Sequence, residues 1–360
     1  MATGFKSATV RVADVPATQT NFPTYVDLDR LGITTLAEAQ SVRVYADSAK
    51  TTEWAREIVS VTEMHVKVPS LTSTVSMFVD WDGVRSDYAV TATYGAQNVW
   101  SEYLAVLHLG EAANNTTDGY LDSTGNGYDG TGNSMSLSAP SGKLSGRAQS
   151  FDGSADYIKL TDGVIAATQA TSTVSVWFKT TFETKVGGVA MYAERAATGL
   201  NIYKLDYGDD DSPREPFLTW RNDAGTLRFI KPAATTSYND DVWHHQAVVI
   251  NGNAINLYIN SSNQASGSLS TKSFTNSGLE SRIGGDKAST TANWDGELDE
   301  FRIASVARSA NWITTEYNNQ NAESTFWGTW TDVSTATTVT NITSIGNITT
   351  LTNISSIIGT

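Results

Sequence analysis

The chain has 360 residues, no cysteine and a formal net charge of −14. Absence of cysteine excludes disulfide frameworks and thiolate zinc sites, and 24 Lys+Arg against 38 Asp+Glu, with no basic run, excludes the positive footprint of sequence-independent nucleic-acid binding. The length predicts two or three domains, and a composition only 17% charged, rich in Thr, Ser, Asn and Gly, favours strands joined by polar turns.

In chain order, Met1–Val15 lacks the basic-then-apolar order of a secretory leader, and no apolar run approaches the ~20 residues of a membrane span. Residues 1–85 predict a small β-sandwich. Thr9–Val12, Tyr25–Leu28 and Ser41–Tyr45 read as short strands, and Met64, Val66 and Val68 share one strand face. Ser76–Trp81 ends at the turn signal Asp82-Gly83. Leu36–Gln40 reads as a helical turn. The segments FPTYVDLD (22–29), SVRVYADS (41–48), EIVSV (57–61) and VKVPSL (66–71), with the strand Val75–Trp81, resemble the DUF2341 family over residues 5–85. The resemblance implies a small β-domain of uncharacterised function that often precedes a lectin-like jelly roll, and it carries no catalytic residues.

Residues 86–103 form a connector, and 104–320 are dense in strands with Gly/Asn/Asp turns. Tyr103–Leu109 is apolar on both faces, as expected of a strand buried on both sides. Val174, Val176 and Phe178 share a face. Trp243–Asn260 contains Asn251-Gly252 between two alternating runs, the strongest short hairpin signal; Ile255, Leu257 and Ile259 face inward. Many strands without a long helix predict an all-β, two-sheet jelly roll. The blocks LHLGE (107–111), DSTGNGYDG (122–130), GKLSGRAQSFDGSADYIKL (142–160), VSVWFK (174–179), WHHQAVVINGNAINLYIN (243–260), IGG (283–285) and WDGELDEFRIASVARSANWITTEYNNQ (294–320) resemble the LamG-like, concanavalin A-type lectin/glucanase jelly roll. This implies the fold; the same fold hosts lectins, hydrolases and structural modules.

Chemistry concentrates at WDGELDEFRI (294–303), read as an Asp-Gly turn opening into a strand on which Asp299, Phe301 and Ile303 share one face. Retaining glucanases of this fold resemble a strand with two carboxylates ~5 Å apart on one face. Glu297-Leu298-Asp299 begins that pattern, but Phe301 or Arg302 occupies the third position and Glu300 has the opposite parity. No catalytic residue is therefore expected here. By resemblance Asp299 is the Asp of a structural calcium site, or else it braces a loop. Asp122, Asn126 and Asp129 in the Gly-rich loop, and Asp152, are further calcium candidates; the competing reading is Asx-turns that bond their own backbone. Of the four histidines, His244 and His245 are adjacent and point to opposite faces, while His65 and His108 lie far apart in sequence, so none is expected to assemble a site. Trp177 and Tyr258, opposite the apolar faces, and Tyr203, Tyr207 and Trp220, near a long loop region, are candidates for stacking on a sugar; the alternative for each is a core or inter-domain contact.

Residues 321–360 form a Thr/Asn/Ile-rich tail. Val339, Ile342, Ile345, Ile348, Leu351, Ile354 and Ile357 recur every third residue, a period that suits neither a helix nor a strand. Three chains sharing one apolar axis would satisfy it, so a homotrimeric stem is expected. The combined expectation is a non-enzymatic, glycan-binding virion component such as a head fibre, decoration or tail appendage, meeting other virion proteins and surface glycans but neither nucleic acid nor membrane. A bacterial surface or secreted adhesin is the alternative, and a glycoside hydrolase the third class.

Overall fold

The computed structural model describes residues 3–144, 146–164, 171–182, 188–193, 203–207, 215–221, 227–232, 237–269, 280–285 and 293–334; at 188–193, 203–207, 221 and 227 it describes the backbone. The chain begins with β1 (Gly4–Thr9), β2 (Gln19–Asp27), α1 (Leu36–Gln40), β3 (Arg43–Tyr45), β4 (Glu53–Trp54), β5 (Arg56–Ile58), β6 (Glu63–Leu71) and β7 (Ser76–Trp81). Helix α1 falls where the sequence predicts it. Thr35 and Glu38 close a reciprocal capping box that fixes its start. After α2 (Ala96–Val99) come β8 (Tyr103–Leu107), β9 (Gly130–Asn133), β10 (Gln149–Asp152), β11 (Tyr157–Leu160) and β12 (Thr171–Lys179). Next are β13 (Gly188–Ala193), β14 (Tyr203–Tyr207), β15 (Pro216–Arg221), β16 (Leu227–Ile230), β17 (His244–Asn251), β18 (Ala254–Ile259) and β19 (Ser262–Ser268). The described chain ends with β20 (Ser281–Ile283), β21 (Asp295–Ala304), α3 (Ala310–Asn321), α4 (Glu323–Phe326) and β22 (Thr331–Asp332).

Among the described residues the strands form four sheets in two sandwiches. The N-terminal sandwich faces β22-β1-β7-β3-β4 against β2-β6-β5. Met64, Val66 and Val68 are fully buried between its sheets, each contributing roughly 1.5–3 kcal/mol of burial. The larger sandwich is a jelly roll of the concanavalin A-like kind. One sheet runs β10-β21-β12-β17-β18-β19 with β8 also on β21, and the other runs β16-β15-β14-β13-β20-β11-β9. Val174, Val176, Phe178, Ile255, Leu257 and Ile259 meet in its core. Gly252 has φ +58° in the β17–β18 hairpin, the left-handed turn that Asn-Gly signals.

Several sequence expectations change, beginning with Thr9–Val12, where the strand ends at Thr9 and a 3-10 turn starts at Val12. Asp295-Gly296 is not a turn but the first two residues of β21, paired to Asp152 and Phe151. Glycine is needed there for close approach, since a Cβ at Gly296 would lie 2.3 Å from the Lys179 carbonyl oxygen. A 12-residue helix, α3, occupies a stretch in which no long helix is expected. Ser309 caps its start, accepting from Trp312 N at 3.1 Å, but Thr, Asn and aromatic residues are poor helix formers, and its stability comes from tertiary packing. Finally, the first part of the tail belongs to the N-terminal sandwich: Phe326, Trp327 and Trp330 enter that core, and β22 pairs with β1. The period-three residues 339–357 lie outside the described residues.

The two sandwiches share a buried seam. Ala247, Val249 and Tyr258 of the jelly roll join Trp312 and Ile313 of α3 in the N-terminal hydrophobic cluster. Asn319 on α3 pairs its amide with the Tyr25 backbone, accepting from N at 2.7 Å and donating to O at 3.0 Å. One face of the β10–β19 sheet is thereby covered by a second domain.

Candidate functional site at the seam between the sandwiches

The site is made by a bulge in β21. Against β12, Ile303 pairs with Val174 and Arg302 with Ser175, but the next pairs are Asp299 with Trp177 and Leu298 with Phe178. Glu300 and Phe301 thus share the place opposite Val176, two residues against one, as a β-bulge requires. Glu300 adopts φ 52°, a left-handed conformation costing a non-glycine residue of order 1–3 kcal/mol. The bulge reverses the alternation. Leu298, Phe301 and Ile303 enter the jelly-roll core, while Asp299, Glu300 and Arg302 turn to the seam. The expectation that Asp299 shares a face with Phe301 is therefore corrected.

The seam also gathers side chains from the N-terminal sandwich. Glu57 comes from β5, and Glu63 and His65 from β6; His108 follows β8. The His65 and His108 rings stack with centroids 4.8 Å apart, which corrects the expectation that the histidines assemble nothing. Sequence separation hid a pairing that only domain docking creates. His108 Nδ1 lies 2.7 Å from Glu300 Oε1 and 3.6 Å from Glu63 Oε1, and its Nε2 lies 3.2 Å from Glu57 Oε2. His65 Nε2 lies 3.1 Å from Glu63 Oε1 and 3.9 Å from Glu300 Oε2. Arg302 donates to Glu300, through Nε at 3.1 Å and through Nη2, and to Glu316 Oε1 at 3.1 Å. Trp100 donates its indole N–H to Glu57. All these ionisable groups are buried.

Burial sets the electrostatics. It pushes the Glu63 carboxyl well above the usual range, and the neighbouring Glu300 adds to the effect. For His108 burial alone would lower the value, but Glu300 and Glu57 outweigh it and hold the imidazole well above its ordinary range. His65, buried without an equal share of carboxylate, is pushed well below. Burial would raise Glu300, yet His108 and Arg302 hold it well below. The result is a buried network of carboxylate, imidazole and guanidinium groups held to one another by these contacts. A cleft of about 720 Å³ between the sandwiches reaches it, lined among others by Glu57, Glu63, His108, Glu111 and Arg147.

The other predicted residues fall elsewhere. Asp299 Oδ2 accepts from the backbone N–H of Lys143 at 2.7 Å and of Leu144 at 3.4 Å, the geometry of a loop brace. Asp122 Oδ1 accepts from Val106 N and Thr124 N, both at 3.0 Å, and Asp129 Oδ1 from Asp122 N at 2.7 Å. Asn126 Nδ2 donates to the Tyr103 and Leu104 carbonyls. Asp152 Oδ1 accepts from Ser154 N and Ala155 N. The bonds of Asp122 to Thr124 N and of Asp152 to Ser154 N and Ala155 N are turn-type, while the others brace segments farther apart in sequence; Asp122, Asn126 and Asp129 share one loop, and Asp152 and Asp299 stand apart from it.

Three aromatic candidates are corrected. Trp177 is 0% exposed, with Lys143 above its ring and its indole N–H bonded to Gln320. Trp220 is in the jelly-roll core and Tyr258 in the seam. A buried ring offers no face to a sugar. Tyr203 and Tyr207 lie on β14, and their side chains are outside the described residues.

Residues 151–314 match the family model of the concanavalin A-like lectin/glucanases superfamily. Among solved structures, domain 4 of AbnA, a GH43 extracellular arabinanase from Geobacillus stearothermophilus solved with arabinotriose, is 22% identical; the match covers 59% of this chain and 97% of that one, with TM-score 0.47. The binding domain of Paraclostridial Mosquitocidal Protein 1 is 14% identical over 61% of this chain, with TM-score 0.45, and the match spans 52% of that domain. A SAP-like pentraxin from Limulus polyphemus is 15% identical, covering 44% of this chain and 73% of that one, with TM-score 0.35. No curated protein matches the chain.

Proposed function

We propose that this chain is a non-catalytic, lectin-like adhesion and structural protein whose jelly roll engages a surface glycan. The observation that carries this reading is the fate of the β21 carboxylates. Glu297 is paired with Lys179 at 2.9 Å, Asp299 braces the 142–144 loop, and Glu300 is bound to Arg302 and His108 beneath the second domain. A retaining glycosidase needs two carboxylates flanking a sugar; here the sheet face that would hold the sugar is covered. The lectin/glucanase family match over 151–314 supports the binding half.

Within this reading the DUF2341-like N-terminal sandwich is the mount, and the period-three tract 339–357 is a trimerising stem of a virion fibre or decoration protein. The regular aliphatics support the stem, because three chains round one axis bury every third residue. Two measurements test the proposal. The intact chain is expected to bind immobilised surface polysaccharide without releasing reducing sugar; sugar release on incubation would overturn the non-catalytic reading, and an empty glycan array at high protein concentration would leave only a structural role. For the stem, light scattering is expected to give a trimer for the full chain and a monomer for a chain ending at Ser334, a cut that spares Trp330 and β22. A monomeric full chain contradicts it.

A further inference from the structure

We propose that Glu63, His65, His108 and Glu300 hold a divalent transition ion of zinc's size and coordination preference, stapling the N-terminal sandwich to the jelly roll. One ligand atom from each residue fits within a 4.8 Å cluster. A tetrahedral ion with bonds of 2.0–2.1 Å sets its donors about 3.3 Å apart. With Glu300 Oε1, Glu63 Oε1, His65 Nε2 and His108 Nδ1 as the donors, the separations 2.7, 3.1 and 3.6 Å bracket that value. The set is two imidazole nitrogens and two carboxylate oxygens, which suits zinc and its neighbours better than calcium or magnesium.

The surroundings resemble those of metal sites. His108 presents Nδ1 to the cluster, while its Nε2 meets Glu57 Oε2 at 3.2 Å. This is the carboxylate–histidine arrangement that fixes the tautomer and orientation of a metal ligand. Arg302 holds Glu300 Oε2 and leaves Oε1 toward His108. The cleft lined by Glu57, Glu63 and His108 provides the entry path. Two ligands come from β6 of one sandwich; the other two follow β8 and sit on β21 of its neighbour. Binding therefore stabilises the docked state, whatever ligand the jelly roll takes.

The test uses the tag-free full chain, stripped by chelator and titrated with zinc chloride in a calorimeter. One ion per chain and a raised melting temperature are expected. Glu63→Gln and His65→Gln should each weaken uptake at least ~10-fold, the scale of losing a part of a metal site, while Glu297→Gln, on the same strand but outside the cluster, should not. Uptake that survives both substitutions, no stoichiometric uptake, or equal uptake of calcium overturns the proposal. If the two variants do not fold, cobalt(II) loading of the unaltered chain decides. A strong visible absorption from four-coordinate cobalt supports the site, and its absence overturns it.

Discussion

The two faces of β12 and β21 are both buried, yet they are built from opposite chemistry. Inward, Val174, Val176, Phe178, Leu298, Phe301 and Ile303 form a core that any period-2 reading finds. Outward, Trp177, Asp299, Glu300 and Arg302 are equally hidden from water, although alternation alone would place them in solvent. The inner face is held by area and shape. The outer face is held by pairing each buried charge, because an unpaired one is too costly to keep. A polar strand face can thus mark a domain joint rather than a surface.

The largest effects separate these two kinds of cohesion. Phe301→Ala, at the inner face, should cost about 3–5 kcal/mol through lost transfer energy and a cavity, read as a lower denaturation midpoint. Arg302→Ala, at the outer face, leaves Glu300 and Glu316 buried without their partner and should cost about 3 kcal/mol. Adding Glu300→Gln to that variant should restore part of the loss, because the uncompensated charge has gone. Phe301→Ala should gain nothing from it. A double-mutant cycle that shows additivity at Arg302 and Glu300 would contradict the pairing account.

Protonation gives a smaller effect on the same face. Burial, with Arg302 and Lys143 nearby, pushes His245 from 6.5 down to about 3. The folded chain therefore refuses a proton that the unfolded chain takes up below pH 6.5. His245's contribution is complete above that pH and is lost as pH falls from 6.5 toward 3. Between pH 6.5 and 5 the loss is about 2 kcal/mol. His245→Gln should remove that share of the acid sensitivity in urea unfolding at the two pH values. Smallest is Glu297→Gln: the Lys179–Glu297 pair is partly exposed, so the change should stay within about 0.5 kcal/mol.

Much of the fold was legible for a physical reason. Alternation reported Met64–Val68, Val174–Phe178 and Ile255–Ile259, Asn251-Gly252 reported its hairpin, and Leu36–Gln40 carried its own cap. The seam was not legible. A one-residue bulge at Glu300 shifts the register, and nothing local in Leu298–Ile303 announces it. Trp177 and Tyr258 were correctly set opposite the core faces, but what covers them is a domain distant in sequence. His65 and His108 meet only once the sandwiches dock. The signal that could have found the site is the charge run Asp299, Glu300, Arg302 inside an otherwise apolar strand, since buried charges travel in paired sets.

The most direct test of the joint is scanning calorimetry of the intact chain. If the buried polar face welds the two sandwiches, they unfold in a single transition whose calorimetric and van't Hoff enthalpies agree. Two separated transitions, one for each sandwich, would contradict the account.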